Sequence, residues 1–310
     1  MKKRILVVSS ANMDLLLNMN RVPGAGETIK DNGKYSYMPG GKGANAAITI
    51  AKLGGDCVFC ARLGDDANAS LLKKFYTDNK IDTRFIKSDS SAQTGLAVVM
   101  VESSAANRIV AYPGANANLC SDDVEEAFMC YPDALYLNFE IPFESIVTAC
   151  SYAKKQNIPI IIDGGPANTN TRFDLLGEIE IFSPNEVETY KYTGISPTNM
   201  ENCLRAASAL YKKMKVKYIV IKLGERGCFI YDGIHYNVCA SYETDVIDTT
   251  GAGDAFTGAM TLKYLQSGDI INACKYANAV GAIVVSRPGA SSGIPTSEEV
   301  GEFIKSRELV

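Results

Sequence analysis

The feature that most limits the possible folds of this chain is a regular alternation of strand and helix patterns from about residue 121 onward. Short apolar runs predict strands at 134–138, 159–162, 179–183 and 218–223, and longer patterns predict helices at 143–156, 200–214, 252–266 and 270–284. A further apolar run at 5–9 is typical of a strand buried on both faces. We therefore expect an α/β fold whose mostly parallel sheet is flanked by helices on both faces.

Half-exposed strand patterns in the first third of the chain do not fit inside such a sheet. Leu15, Leu17 and Met19 alternate with their neighbours, and 94–101 and 108–112 predict two strands joined by a polar hairpin loop at 102–107. Helical patterns lie at 42–53 and 66–79. We expect a small β-sheet lid, with strands within about 12–38 and 94–112, beside the main body. Because no linker, repeat or low-complexity tract interrupts residues 1–310, we expect one domain.

Composition argues against several classes of partner. The net charge of -4, with 46% hydrophobic and 21% charged residues, is typical of a globular protein and unlike a nucleic-acid binder. No apolar run approaches the roughly 20 residues that span a bilayer. The apolar stretch after Met-Lys-Lys-Arg covers residues 5–8, too short for a signal-peptide core. We expect a cytoplasmic protein without a membrane or nucleic-acid partner.

The nine cysteines are scattered, as in proteins of reducing compartments. Cys57 and Cys60 have the spacing of a zinc or redox pair. However, no second pair accompanies them, and the single histidine is His235. In the strand-like run around them, residues three apart point to opposite faces. We interpret both as buried structural cysteines.

The segment Asp248-Thr-Thr-Gly-Ala-Gly-Asp254 leads directly into the helical pattern that begins near Ala252. The first N–H groups of a helix lack intrahelical partners and lie at the positive end of its dipole. Glycines let the backbone approach a ligand closely, so residues 251–254 form a plausible phosphate-binding anion hole. Asp254 would face the reacting group. The alternative is that Asp254 is present only because an acidic residue is favoured at the positive end of the helix dipole. The sequence contains neither a P-loop motif nor a dinucleotide-binding fingerprint.

A second glycine-rich segment, Gly40-Gly-Lys-Gly-Ala-Asn45, opens another predicted helix. Its backbone could wrap around a small polyol, and Asn45 offers the donors and the acceptor that hydroxyl recognition requires. A glycine-rich turn with a surface lysine is about equally consistent with these residues alone.

Together, Gly40-Gly-Lys-Gly-Ala-Asn-Ala-Ala with Leu53-Gly-Gly, and Asp-Thr-Thr-Gly-Ala-Gly-Asp at 248–254, resemble the two signatures of the ribokinase-like (PfkB) carbohydrate kinase family. Further family landmarks follow in order along essentially the whole chain: Asn12-Met-Asp14, Pro23-Gly-x-Gly-Glu-Thr, Gly114-Ala-Asn116, Pro184-Asn-Glu-Val-Glu188 and Lys222-Leu-Gly-Glu-Arg-Gly227. The resemblance implies one ribokinase-like catalytic domain and a homodimer that forms through the β-lid.

The resemblance also implies roles for residues around the sugar. Asp254 would be the catalytic base, with Gly251, Ala252 and Gly253 forming the anion hole. Asp14 and Glu140 would accept charge-assisted hydrogen bonds from sugar hydroxyls. The implied sugar-binding set is Asn12, Asp14, Gly41, Lys42, Gly43, Ala44, Asn45, Glu140 and Asp254.

For the nucleotide, the implied set is Asn185, Lys222, Gly224, Gly227, Gly253 and Asn278. Glu188, in the family's Asn-x-x-Glu motif with Asn185, would help to hold Mg²⁺ through water. The same segment could simply cap a helix, and both interpretations can hold together. A K⁺ site is implied at Asp248, Thr250, Val284, Arg287, Gly289 and Gly293.

Two positions depart from the family pattern. Lys222 replaces a threonine and could add a cation near the nucleotide phosphates. Asp163, in Ile162-Asp-Gly-Gly-Pro-Ala, stands in a segment that is more usually Asn-Pro-Ala-Pro. It lies at the carboxyl end of a predicted strand, where ligands of α/β proteins bind.

The resemblance thus implies ATP-dependent phosphorylation of D-ribose at its 5-hydroxyl, with Mg²⁺ and K⁺. The alternatives are a deoxyribose, nucleoside (including pseudouridine) or fructose kinase of the same family. For a nucleoside, Tyr35, Tyr37 and Tyr112 are the lid aromatics that could stack on a base. A non-catalytic sugar sensor is a further alternative, disfavoured because Asp254 is present.

Overall fold

The computed structural model describes residues 2–103 and 107–308. Its main sheet has nine strands, in the order β13-β12-β11-β10-β9-β8-β1-β4-β5. These strands are β1 (Arg4–Val8), β4 (Asp56–Gly64), β5 (Ile86–Asp89), β8 (Ala134–Leu137), β9 (Ile160–Asp163), β10 (Glu178–Ser183), β11 (Lys215–Lys222), β12 (Cys228–Tyr231) and β13 (Tyr236–Cys239). Neighbours from β5 to β11 are parallel, and β12 and β13 add an antiparallel edge.

Helices cover both faces of this sheet, as predicted. They are α1 (Lys42–Lys52), α2 (Ala67–Asp78), α3 (Ser121–Ala127), α4 (Phe143–Lys155), α5 (Glu186–Thr193), α6 (Met200–Lys213), α7 (Ala252–Ser267), α8 (Ile270–Val285) and α9 (Ser297–Glu308). One core cluster packs α1, α7 and α8 against one face, and a second packs α4 and α6 against the other. Cys57 belongs to the first cluster and Cys60 to the second, which confirms that they point to opposite faces.

The smaller sheet has the order β3-β2-β6-β7. Its strands are β2 (Asn12–Met19), β3 (Tyr35–Gly40), β6 (Gly95–Glu102) and β7 (Asn107–Tyr112). The predicted lid is therefore present. Its central pair, β2 and β6, is parallel, whereas the outer pairs are antiparallel. The predicted hairpin loop at 102–107 includes residues 104–106, which lie outside the described residues.

Most predicted elements agree with the structure within two or three residues at each end. The sequence patterns missed β5, β12, β13, α3 and α9. β5, β12 and β13 have four residues each and α3 has seven. These four short elements show too few periods of an apolar pattern to be distinguished from loops. α9 has twelve residues, but Val300, Phe303 and Ile304 are its only apolar side chains, which gives a weak helical pattern. Within the described ranges, no helix is long and apolar enough to cross a membrane.

Candidate active site

The predicted site residues gather where the parallel strands of the main sheet end. Parallel strands present their carboxyl ends at one edge, which is where ligands of such folds bind. β9 ends at Asp163, β10 at Ser183 and β11 at Lys222. Chain segments that follow β1 and β8 bring Ser10 and Glu140 to the same edge, where Ser10 Oγ donates a hydrogen bond to Glu140.

The amino end of α7 faces this edge without a side-chain cap. Gly251 is the N-cap residue, with φ 74°, a left-handed conformation that glycine adopts without strain. Among the described residues no side chain caps this helix. The Ala252 N–H donates a 3.3 Å hydrogen bond to Thr249 O, whereas the Gly253 N–H that follows remains available to an anion. A Cβ atom at Gly251 would lie 2.8 Å from Ala290 Cβ, so close packing also requires glycine here.

Asp254 lies in the first turn of α7 and is 5% exposed. Its Oδ2 accepts a 2.9 Å hydrogen bond from Asn45 Nδ2, and Lys42 Nζ lies 3.5 Å from its Oδ1. Burial raises the pKa of the Asp254 carboxyl, and the Lys42 ammonium partly opposes that shift. The negative charge of Asp254 in turn raises the pKa of Lys42. A buried carboxylate oriented by two side chains, with a raised pKa, is suited to general-base chemistry.

The glycines of the 40–45 segment allow α1 to begin deep in the site. Gly41 has φ 92°. A Cβ atom at Gly43 would lie 2.2 Å from Ser9 Cβ, and one at Gly40 would lie 2.0 Å from Asp14 Oδ2. Lys42 is partly buried and directed at Asp254, so the alternative of a surface turn with a surface lysine is wrong.

Two further carboxylates, Asp14 and Glu140, lie beside Asp254. Glu140 accepts a 3.0 Å hydrogen bond from the backbone N–H of Lys42, and burial raises its pKa. Asp14 Oδ1 is buried and has no hydrogen-bond partner within the described chain. Burial, together with the charges of Glu140 and Asp254, raises the pKa of Asp14 to about 7. These oxygens can accept hydrogen bonds from the hydroxyls of a bound polyol.

The pleat of the lid determines which of its side chains face this space. Residues paired across neighbouring strands share a face, whereas neighbours along a strand point to opposite faces. Tyr37 pairs with Leu15 and Tyr35 with Leu17. They therefore lie on the face opposite Asp14.

Tyr112 lies on that outer face as well, because it pairs with Leu96, which in turn pairs with Met13. The prediction that these three tyrosines could stack on a base in the site is wrong. Alternation along a strand is readable from sequence, but the register that relates Tyr112 to Asp14 is not.

Asp163 and Lys222, the two departures from the family pattern, form a buried ion pair. Lys222 Nζ lies 2.5 Å from Asp163 Oδ2 and 3.2 Å from Thr257 Oγ1, and Thr257 Oγ1 donates a 2.6 Å bond to Asp163 Oδ2. Burial opposes ionisation of Asp163, but the ammonium groups of Lys222 and Lys42, together with these hydrogen bonds, lower its pKa. A Cβ atom built at Gly253 would lie 3.6 Å from Lys222 Nζ. The pair thus fixes the position of the Lys222 ammonium beside the first turn of α7.

Asn185 and Glu188 form a capping box at the start of α5. Asn185 Oδ1 accepts from the backbone N–H of Glu188, and Glu188 Oε2 accepts from that of Asn185, both at 2.8 Å. The capping interpretation of this motif is therefore confirmed. Glu188 is also buried at the site, where burial raises its pKa. Its Oε1 would lie 2.1 Å from a Cβ atom at Gly165, so that oxygen faces the Gly165 backbone.

The remaining predicted nucleotide positions lie around the antiparallel edge of the main sheet. Gly224 and Gly227 have φ 58° and 85° in the turn after β11. A Cβ atom at Gly227 would lie 2.0 Å from the Cys239 carbonyl oxygen. Asn278, on α8, donates 3.0 Å hydrogen bonds to the carbonyl oxygens of Cys239 and Ala240. Asn278 therefore supports the wall of this region by holding the chain that follows β13.

The residues predicted to hold K⁺ also come together. Asp248 accepts 2.9 Å hydrogen bonds from the N–H groups of Thr250 and Gly289. A Cβ atom at Gly293 would lie 2.9 Å from the Gly289 oxygen and 3.4 Å from the Val284 oxygen. The N–H of Arg287 donates to Val284 O at 3.1 Å, while its guanidinium pairs with Glu299. Carbonyl oxygens keep a second lone pair, so this cluster retains acceptors for a cation.

Sequence reasoning missed Ser10, Thr257 and Asn116 as members of the site. Thr257 lies one helical turn after Gly253, a spacing that places both on one face of α7. Asn116 stands in the Gly114-Ala-Asn landmark, yet its contact with Asn12 spans 104 residues of sequence. No local pattern could have indicated that contact.

Comparison with known proteins matches residues 2–297 to the pfkB family carbohydrate kinase model. The chain is 32% identical over 307 residues to the ribokinase of Haemophilus influenzae, covering 98% of this chain and 99% of that protein. It is 28% identical over 306 residues to the deoxyribokinase of Salmonella typhi, covering 98% and 99% respectively. The solved structure of Arabidopsis thaliana ribokinase complexed with ribose and ATP superposes with a TM-score of 0.91 at 31% identity, covering 98% of this chain and 99% of that one.

Proposed function

The chain belongs to the pfkB family of carbohydrate kinases, and we propose that it transfers the γ-phosphoryl group of ATP to the 5-hydroxyl of D-ribose, giving ribose 5-phosphate. One observation carries the proposal. Asp254, held by Asn45 and Lys42, stands at the uncapped amino end of α7, so base and anion hole belong to the same helical turn. The whole chain, residues 1–310, would act as one catalytic domain.

In the proposed reaction, Asp254 accepts the hydroxyl proton as the sugar oxygen attacks the γ-phosphorus and the bond to ADP breaks. Such transfer depends mainly on positioning and on stabilising charge. The Gly253 N–H, and the Ala252 N–H in place of its bond to Thr249 O, would stabilise charge on the transferring group. Lys222 and Lys42 add two ammonium groups beside them.

The residues present fit Mg²⁺ bound largely by water and nucleotide phosphates. Among residues 2–103 and 107–308, no three His, Cys, Asp or Glu side chains are grouped to hold a metal. Glu188 can supply a carboxylate, and Mg²⁺ in phosphotransfer sites often has one or two protein carboxylates. When bound, the ion would neutralise phosphate charge. The oxygens of Asp248, Val284 and Gly289 fit K⁺, whose charge would steady the loop that supports Gly251.

The lid is proposed to close over the sugar and exclude water, which limits ATP hydrolysis. Among the described residues, its outer face carries the exposed apolar or aromatic side chains Tyr35, Tyr37, Val110 and Tyr112. An exposed face of this kind favours pairing with a second copy, so we propose a homodimer through the lid. A cytoplasmic location is also proposed, supported by nine cysteines that are all free.

D-ribose is preferred over the alternatives for different reasons. The lid tyrosines on which a nucleoside base could stack lie on the face of the lid opposite Asp14. Asp14, Glu140 and Asn45 supply polar groups in the space where a small polyol would bind. A deoxyribose substrate stays the nearest alternative, since a deoxyribokinase is among the similar proteins.

The test is ADP release with Mg²⁺ and K⁺ over ribose, 2-deoxyribose, fructose, adenosine, cytidine and pseudouridine. We expect ribose to have the highest kcat/KM. Preference for 2-deoxyribose or a nucleoside would overturn the substrate and keep the kinase. No turnover of any compound would support a non-catalytic sensor.

A further inference from the structure

Asn116 is buried beneath the lid, next to the predicted sugar-binding Asn12. It lies in a short 3₁₀ helix, Gly114–Asn118, and is 2% exposed. Its Nδ2 lies 2.7 Å from Asn12 Oδ1, 2.9 Å from Pro113 O and 3.2 Å from Ala11 O. Its Oδ1 accepts a 2.9 Å hydrogen bond from the backbone N–H of Ala11.

These contacts determine how both amides are oriented. The Ala11 N–H can only donate, so the atom of Asn116 that meets it must be the oxygen. The other atom of the Asn116 amide is then the nitrogen, which can only donate. Its partner on Asn12 must therefore be Oδ1, and the Asn12 nitrogen points away from Asn116.

Close packing prevents either amide from moving aside. Gly95, on β6, pairs with Asn12 in the lid sheet. A Cβ atom at Gly95 would lie 2.2 Å from Asn12 Oδ1 and 2.3 Å from Asn116 Nδ2. The backbone of β6 thus holds the contact between the two asparagines.

Asn12 and Asp14 lie on the same face of β2 because they are two residues apart. In the described residues, Asp14 Oδ1 has no hydrogen-bond partner in the protein. The contact of Asn12 with Asn116 uses Asn12 Oδ1 and leaves Asn12 Nδ2 as a donor for a ligand. A donor and an acceptor are therefore offered side by side. Their complement is a hydroxyl that accepts from Asn12 while it donates to Asp14.

We propose that Asn116 is a positioning residue that fixes the Asn12 amide with its nitrogen toward the sugar. Asn12 and Asp14 then select a ring hydroxyl that serves as both acceptor and donor. This inference rests on the proposed sugar kinase function and deepens its specificity, because a sugar that lacks this hydroxyl leaves both groups unpaired.

The test is Asn116→Asp, with initial rates measured against ribose and ATP separately. A carboxylate at 116 still accepts from the Ala11 N–H but cannot donate to Asn12 Oδ1, so the Asn12 amide turns its oxygen toward the sugar. Two acceptors then face one hydroxyl. We expect the ribose KM to rise by about tenfold or more, in line with an unpaired buried polar group, and the ATP KM to change less than about twofold.

A double-mutant cycle separates positioning from a general structural effect. In an Asn12→Ala background, Asn116→Asp should change the ribose KM by less than about twofold. Assays with 2-deoxyribose and 3-deoxyribose identify the hydroxyl. The sugar that lacks the selected hydroxyl should have a raised KM already with the parent protein, and Asn116→Asp should raise that KM little further. An equal effect in both backgrounds, or an unchanged ribose KM in Asn116→Asp, would overturn the proposal.

Asn116→Ala covers the case in which the buried carboxylate prevents folding, because it removes the donor without adding charge. Its matched control is Asn118→Ala, in the same 3₁₀ turn, whose Nδ2 bonds Asp89 Oδ2 at 2.9 Å and not Asn12. We expect a raised ribose KM for Asn116→Ala alone, and equal values for the two variants would contradict the inference. A parent protein that never turns over ribose would refute the proposed function instead.

Discussion

Replacing Asp14 by asparagine is expected to stabilise the ligand-free protein at neutral pH while it removes ribose turnover. Burial and the nearby charges of Glu140 and Asp254 raise the pKa of Asp14 from 3.8 to about 7. Between these values the native state keeps a proton that the unfolded chain has lost. The free energy of unfolding therefore falls as the pH rises through this window, and the loss is complete above about pH 7. Asparagine at this position does not titrate.

The magnitude follows from the size of the pKa shift. One pKa unit corresponds to about 1.4 kcal/mol, so the charged form of Asp14 could cost up to about 4 kcal/mol. Asp14 is only partly enclosed in the ligand-free protein, and we take about half of this value, about 2 kcal/mol. With an unfolding entropy of about 2.1 cal/mol/K per residue, the gain in Tm is about 3 °C at pH 8. At pH 5 Asp14 of the native state is still mostly protonated, so the gain in Tm from Asp14→Asn falls to about 1 °C.

The assay is thermal unfolding of parent and Asp14→Asn without ligand at pH 5 and pH 8. Asp174→Asn is a suitable control, because Asp174 is exposed, pairs with Arg172 and has a lowered pKa. It should give no gain at either pH. Ribose at saturation should raise the Tm of the parent and leave Asp14→Asn unchanged. A lower Tm for Asp14→Asn at pH 8, or the same gain at both pH values, would refute the reasoning.

Three further predictions follow from the other parts of the site. Lys222→Thr combined with Asp163→Asn removes both charges of the buried pair. In initial-rate measurements we expect the KM for ATP to rise about tenfold and the KM for ribose to change little. An unchanged KM for ATP would contradict a phosphate-binding role for Lys222. Tyr37→Asp places a charge on the outer lid face and should shift the protein to a monomer in light scattering, whereas an intact dimer would argue for another interface. Asp248→Asn should weaken activation by K⁺ relative to a buffer with tetramethylammonium, and the same activation as the parent would place the cation elsewhere.

The starts of α1 and α7 could be predicted from sequence because their signals are local. Each helix begins at a glycine-rich turn, and the positive φ values of Gly41 and Gly251 show why glycine is needed there. The place of Asp254 could be predicted as well, because it lies in the first turn of α7. The mostly parallel sheet could be predicted for a similar reason, since buried parallel strands read as continuous apolar runs.

Contacts between distant segments could not be predicted. Lys222 meets Asp163 across 59 residues and Thr257 meets Asp163 across 94, and neither separation leaves a sequence pattern. The lid tyrosines were misplaced because their face depends on the pairing of β3 with β2, which contains Asp14, and of β7 with β6, which in turn pairs with β2. Strand register is a property of the assembled sheet, and a shift of one residue moves every side chain to the other face.

The most direct test of the central claim is product analysis of the reaction of ribose and ATP, with parent and Asp254→Asn compared under single-turnover conditions. ³¹P NMR of the parent product should show a phosphomonoester on the C5 oxygen. Asp254→Asn should bind both substrates in calorimetry but form product about 10²–10⁴-fold more slowly, the usual contribution of a general base. Phosphate on another oxygen would contradict the assigned acceptor, and turnover by Asp254→Asn within about tenfold of the parent would contradict Asp254 as the base.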